Sequence, residues 1–211
     1  MTTLLVIAKQ PLPGRVKTRL TPPFTPGQAA ALAEASLADT LAVAARVPAA
    51  RRVLVLDGEP GDWLPPGFAV VPQVAGGLDA RLAAAFAGCS GPALLIGMDT
   101  PQLTPGLLAP ALCWDRHDAW FGPAADGGFW ALGLAVPDPA LLRGVPMSRP
   151  DTGRVQYERL TAAGLRVGRL PVLRDVDTAD DARRVAASAP GGRFAAVHAS
   201  LTTATPAGAG A

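Results

Sequence analysis

The run from Lys9 to Leu20, K-Q-P-L-P-G-R-V-K-T-R-L, carries four cations, Lys9, Arg15, Lys17 and Arg19. Such a density of positive charge suits a polyphosphate, because lysine supplies a point charge and arginine a bidentate fork for phosphate oxygens. Pro11, Pro13 and Gly14 keep the run out of helix and fix a loop whose backbone amides, with Thr18 beside Lys17, can face a ligand. The alternative is a solvated basic loop. A Walker A loop is excluded, since G-x-x-x-x-G-K-[ST] does not occur.

Four aspartates are candidates for the complementary chemistry. Asp99, in G-M-D-T-P, directly follows an apolar strand and should project from its end into a crevice. A lone carboxylate facing bound polyphosphate is a natural Mg²⁺ ligand, since Mg²⁺ takes one or two carboxylates and completes its shell with phosphate oxygens and water. A turn or helix-capping aspartate is the alternative there. Asp126, in D-G-G-F-W, is followed by Gly127 and Gly128, which permit close backbone approach to an acceptor; a plain D-G hairpin turn is equally open. Asp175 and Asp177, in D-V-D-T, put two carboxylates on one face of an extended segment, where they complete a metal site or cap the helix that follows. Gly76-Gly77 is a turn that can accept a base or ribose edge, or a mere connection, and Ser148 either touches an acceptor or sits in a turn. His117 lies in the charged stretch W-D-R-H-D and reads as surface. Ser-His-Asp hydrolysis has no support, as no G-x-S-x-G elbow is present.

The elements that must position these residues alternate strand and helix. Leu4 to Ala8 reads as a buried strand leading into the basic loop. Thr25-Pro26 opens a helix to about Arg46, and strands are expected over 52–56, 68–71, 93–96, 119–122 and 129–134. Helices are expected over 78–87, from Thr104-Pro105 to about Trp114, over 153–163, and from Thr178 to about Ala187, where Asp181 completes a capping-box-like start. Residues 165–173 read as extended. The pattern predicts an α/β fold, a mixed and mostly parallel sheet with helices on both faces. From Ala189 the composition falls to Ala, Gly, Thr and Pro, so residues 1–188 are expected as one catalytic domain and 189–211 as a flexible tail.

The 211 residues are 49% hydrophobic and 17% charged with a net charge of +2, enough for a sizeable core and too balanced for a nucleic-acid partner. Apolar windows are broken well short of the ~18 residues of a membrane span. Neither a signal peptide nor a metal-spaced cysteine pair is evident, and Cys89 and Cys113 are expected reduced. A cytoplasmic location is the expectation.

Taken in order, K-x-P-x-P-G-x-V-K-T-R-L, Q-x-x-G-G-L, a strand ending G-M-D-T-P, G-P-A-A-D-G-G-F-W-A-L-G-L and D-V-D-T-A-D-D resemble the small bacterial GT-A-fold proteins labelled nucleotide-diphospho-sugar transferases or arsenosugar-biosynthesis-type glycosyltransferases. The likeness covers about Thr3 to Val185 and implies a single Rossmann-like GT-A domain. More distantly, the spacing of Lys9 to Lys17-Thr18-Arg19-Leu20 is similar to phospholactate guanylyltransferases. That resemblance implies a nucleoside triphosphate on Lys9, Lys17 and Arg19, Mg²⁺ (or Mn²⁺) on Asp99, and Asp175 or Asp177 as the second acidic position. The Q-x-x-G-G-L motif adds Gln73 to Gly76 and Gly77 on the nucleotide side. No D-x-D stands at Asp99, because residue 101 is Pro, which weakens the glycosyltransferase label.

Two reactions compete. Nucleotidylyl transfer from a triphosphate to a small phosphorylated acceptor needs positioning and charge neutralisation, which Lys17 and Asp99 would supply, and no general base if the acceptor is anionic. Glycosyl transfer from a nucleotide sugar gains from a base, for which Asp126 is the candidate. The number of cations tips the expectation to the first. A catalytically inert nucleotide-binding module is the third reading. Either enzyme takes a small-molecule acceptor, and a homodimer is compatible with all three.

Overall fold

The structure is a computed structural model and describes residues 1–203. Seven strands form one sheet in the order β3-β2-β1-β4-β6-β5-β7. They are β1 (Thr3–Lys9), β2 (Arg51–Asp57), β3 (Ala69–Pro72), β4 (Ala93–Gly97), β5 (Ala119–Pro123), β6 (Phe129–Leu134) and β7 (Val167–Arg169). β3, β2, β1 and β4 run parallel, β6 is antiparallel to β4 and β5, and β7 pairs parallel with β5. The mixed, mostly parallel sheet expected from the alternation of elements is therefore present.

Alternate residues of each central strand feed opposite faces, as the two-residue period of a strand requires. Leu4, Val6, Leu54, Leu94 and Ile96 pack with α1 (Pro26–Arg46) on one side. Leu5, Val53, Val55 and Leu95 pack on the other with Leu82 and Phe86 of α2 (Leu78–Ala87) and Leu160 of α4 (Thr152–Ala162). Thr25 opens α1 through a reciprocal capping box with Gln28, as its Thr-Pro start implies. The helix expected from Pro105 to Trp114 breaks instead into α3 (Pro105–Leu108) and a 3₁₀ turn, Ala109–Leu112. Pro110 is the cause, since it has no N–H and its ring crowds the preceding turn. The extended reading of residues 165–173 narrows to the three residues of β7.

Thr178 and Asp181 form the capping box of α5 (Ala179–Ser188). The chain does not then trail off. Arg193–Thr203 forms a further helix, α6, whose Phe194 is 2% exposed among Phe24, Leu32 and Val185. Asp39 of α1 accepts hydrogen bonds from the Arg193 and Phe194 backbone amides at 3.0 and 2.9 Å and so caps the start of α6. The tail boundary expected at Ala189 is thus corrected within the described residues, because an apolar face at 194, 197 and 201 finds a groove to cover. The last part of that tail, 204–211, lies outside the described residues. Phe194→Ala should lower the free energy of unfolding by about 3 kcal/mol, as for other buried phenylalanines. Urea denaturation measures this, and an unchanged midpoint would show that α6 adds nothing to the body. Among the described residues no helix is long and apolar enough to cross a membrane.

Candidate active site

At the carboxyl ends of β1 and β4 a cavity of about 840 Å³ opens, the position at which open α/β sheets bind ligands. The basic loop walls one side. Lys9, Arg15, Lys17, Thr18 and Arg19 line the cavity, whereas Pro13 does not and Gly14 faces a small neighbouring hollow with Val16 and Pro26. Lys17 adopts a left-handed backbone, φ 49°, which costs a non-glycine residue of order 1 kcal/mol. That conformation carries its side chain inward: only 8% of it is exposed, and Nζ lies 2.7 Å from Asp99 Oδ1 and 3.3 Å from Asp177 Oδ1. Burial works against the ammonium, but the carboxylates of Asp99 and Asp177 outweigh it and the Lys17 pKa is raised. Arg19 Nη1 adds a longer pair to Asp177, 3.5 Å.

The acidic wall is assembled from distant segments. Ser36 of α1 donates to the Met98 carbonyl at 2.6 Å, holding the end of β4. The amide of Val176 donates to the Asp99 carbonyl at 3.0 Å, and Gln102 Nε2 donates to the Arg174 carbonyl at 2.7 Å. These bonds clamp residues 174–177 against 99–102 and bring Asp99, Asp175 and Asp177 into the one cavity. Asp175 Oδ1 is shut off from solvent with no hydrogen-bond partner among the described residues. Burial, then the charges of Asp99 and Asp126, push its pKa up to about 7. An orphaned, buried carboxylate oxygen beside two further carboxylates is a seat short of positive charge. No three His, Cys, Asp or Glu side chains of the described residues make a ready-made cage. The donor set therefore fits a hard divalent ion that completes its shell with phosphate oxygens and water.

The acceptor side is the turn between β5 and β6 together with residues 147–152. Asp126 and Gly128 line the cavity; Gly127 does not. Asp126 Oδ1 accepts the Gly128 amide at 2.8 Å, so the hairpin-turn role is real and leaves Oδ2 for the cavity. Gly127, at φ +91°, lies where a Cβ would run into the Pro150 carbonyl, and a Cβ at Gly153 would run into the Gly128 carbonyl. This contact seats the 147–152 segment over the cavity and presents Ser148 in a left-handed conformation, φ 58°. Thr152 ties the segment down by accepting the Arg149 amide at 3.1 Å and donating to the Pro146 carbonyl at 2.8 Å.

Gln73 differs from the sequence expectation. Its Nε2 donates to the Ala8 and Val55 carbonyls at 2.7 and 3.1 Å, and its Oε1 accepts from Arg81 at 2.9 Å. Both amide N–H groups are spent on the sheet, while the residue still lines the cavity beside Gly76. Gly76 lines the cavity and Gly77, the N-cap of α2, does not. Residues that sequence reasoning left out of the site also line it: Arg15, Arg81, Met147, Arg149 and Thr152. Arg15 was visible in the basic run; Arg149 and Thr152 carried no local signal.

Comparisons with known proteins agree with this architecture. The model of a family described as an uncharacterized protein conserved in bacteria (DUF2064) matches residues 29–149. No curated protein matches the chain in sequence. Among solved structures, a candidate nucleotide-diphospho-sugar transferase from Desulfovibrio desulfuricans G20 is 28% identical, with a TM-score of 0.83 over 96% of this chain and 94% of that one. Rv0371c of Mycobacterium tuberculosis H37Rv, solved in complex with manganese, is 24% identical, with a TM-score of 0.50 over 87% of this chain and 96% of that one. The 2-C-methyl-D-erythritol 4-phosphate cytidylyltransferase of Thermus thermophilus is 18% identical, with a TM-score of 0.50 over 96% of this chain and 100% of that one. The last two share the fold, a single GT-A-type Rossmann-like domain.

Proposed function

We propose that this chain, which belongs to the bacterial DUF2064 family, is a nucleotide-using transferase that moves a nucleotidylyl group from a nucleoside triphosphate to a small phosphorylated acceptor. The observation that carries the reading is the single cavity in which the cations of the basic loop face Asp99, Asp175 and Asp177. Resemblance to nucleotidylyltransferases and to a candidate nucleotide-diphospho-sugar transferase supports the broader class.

In this reaction an acceptor phosphate oxygen forms a bond to the α-phosphorus, the bond from that phosphorus to the bridging oxygen breaks, and pyrophosphate leaves. Lys9, Arg15 and Arg19 hold the triphosphate and neutralise the charge that grows on the leaving group. A divalent ion, Mg²⁺ or Mn²⁺, supplies further neutralisation when bound at Asp99 and Asp175, with Asp177 the remaining carboxylate. The manganese complex of Rv0371c supports such an ion. Lys17 keeps the acidic wall compact and stands within reach of the same phosphates. Ser148, Arg149 and the glycine turn after Asp126 form the acceptor side. An anionic acceptor is its own nucleophile and requires no base.

A second reading, transfer of a sugar from a nucleotide diphosphate donor, is favoured by the likeness to the Desulfovibrio desulfuricans protein. Asp126 Oδ2 would then take the acceptor proton. The deciding experiment incubates the protein with each of four nucleoside triphosphates, Mg²⁺ and a panel of phosphorylated metabolites. Acceptor-dependent pyrophosphate is the expected result. Silence there, with nucleoside diphosphate released from a nucleotide sugar, would replace the first reading with the second.

A further inference from the structure

The cations of the basic loop are not equivalent. Arg19 is 72% exposed and meets Asp177 at 3.5 Å, whereas Lys17 is 8% exposed and its ammonium reaches Asp99 Oδ1 at 2.7 Å and Asp177 Oδ1 at 3.3 Å. Val16 and Leu20, on either side of Lys17, are buried. The Lys17 carbonyl accepts the Leu20 amide at 2.9 Å, which pins the left-handed backbone in place. Beyond that fixed base the unbranched stem of a lysine keeps its rotatable bonds. Lys17 is thus a compact charge on a movable arm.

The seat it occupies is the one a divalent ion would use. Asp99 Oδ1 is closed to solvent and accepts no other hydrogen bond among the described residues, so the ion pair with Lys17 is what offsets its burial. Asp175 Oδ1 and Thr100 Oγ1 are likewise closed to solvent without a hydrogen-bond partner among the described residues, and both residues line the same cavity. A divalent ion held by the Asp99 carboxylate would stand close to the ammonium, and like charges repel. What admits the ion is therefore whatever else can take the ammonium. A polyphosphate can, because its oxygens accept from Nζ and also complete the shell of the ion.

We propose that Lys17 guards the acidic wall: it keeps Asp99 and Asp177 from a divalent ion that arrives alone, and yields them when ion and polyphosphate arrive together. The proposal rests on the nucleotide reading given above and adds a binding order to it. In the exchange the ammonium passes from two carboxylates to phosphate oxygens, and no covalent bond changes. By linkage, ion and polyphosphate each raise the affinity for the other.

The first test is calorimetric titration with Mn²⁺ alone of wild type, Lys17→Met and Arg19→Met. Lys17→Met should bind Mn²⁺ at least about tenfold more tightly than wild type, since a like charge has left the seat. Arg19→Met should change the affinity by about threefold or less, because an exposed charge is screened. Unchanged or weaker binding by a folded Lys17→Met protein, or an equal gain in Arg19→Met, would overturn the assignment. The second test needs no loss of the lysine. In ¹⁵N-lysine-labelled wild type, Mg²⁺ alone should leave the Lys17 ammonium resonance in place, and Mg²⁺ with inorganic tripolyphosphate should shift it. An unmoved resonance with both bound would overturn the exchange even if Lys17→Met does not fold. Failure of tripolyphosphate to bind, with or without Mg²⁺, would overturn the nucleotide reading, while tighter Mn²⁺ binding by Lys17→Met would still support the guard on the seat.

Discussion

Asp99→Asn is expected to lower turnover by roughly a hundred- to a thousand-fold, the loss that follows removal of one preorganised electrostatic group from a transition state. Asp99 is the carboxylate at the end of β4 that meets Lys17 at 2.7 Å and shares its cavity with Asp175 and Asp177. Asparagine keeps the shape and one acceptor oxygen but removes the charge that would hold a divalent ion against the phosphates. The fold should survive, because Lys17 retains Asp177 at 3.3 Å and the Asp99 carbonyl still accepts the Val176 amide. Lys17 is only 8% exposed, so losing the Asp99 charge costs stability, and the pair it keeps with Asp177 limits that cost. Pyrophosphate release and thermal melting, measured on the same preparation, separate the two effects. A folded variant whose turnover stays within threefold of wild type would remove Asp99 from the site.

Asp175→Asn should have the opposite effect on stability. With the native pKa near 7 and an ordinary carboxylate value in the unfolded chain, the native state holds a proton that the unfolded state has released between about pH 4 and 7. Stability from this group is fully present below pH 4 and is lost as pH rises through 7, with a ceiling of about 4 kcal/mol. Asparagine stays neutral and escapes that loss. In metal-free buffer at pH 8 the variant should melt several degrees above wild type, since about 1 kcal/mol corresponds to ~2–4 °C in a protein of this size. At pH 4 the two should coincide. Mn²⁺ should raise the melting point of wild type more than that of the variant, because a ligand stabilises the state that binds it. A variant no more stable at pH 8 would mean that Asp175 carries no electrostatic strain. The opposed signs expected for the apo and the metal-bound protein are those of a group kept for binding at a cost in stability.

Much of the fold was legible because it is written locally. The capping boxes at Thr25 and Thr178, the Pro at the first turn of α1, and the apolar runs of β1, β2 and β4 are short-range signals that neighbouring residues do not override. Where the helices differ from that pattern, a single local feature decides the outcome. Pro110 splits a helix, and the spacing of Phe194, Val197 and Leu201 marks an amphipathic turn inside a segment whose composition otherwise reads as a tail.

By itself the sequence determined which chemistries are available: a cationic loop after β1, an aspartate at the end of β4, a glycine turn after Asp126 and two aspartates before α5. Residue type and position relative to a strand end are one-dimensional facts, and they survive folding. Only the tertiary structure decided which of these groups face one another. Hydrogen bonds between residues 174–177 and 99–102 bring Asp175 beside Asp99, and the left-handed backbone at Lys17 turns its ammonium inward. Gln73 spends its amide N–H groups on the sheet, while Arg81 donates to both Asp57 and Gln73. Polar groups choose partners by distance and desolvation after the chain is packed, and sequence separation carries no record of that choice.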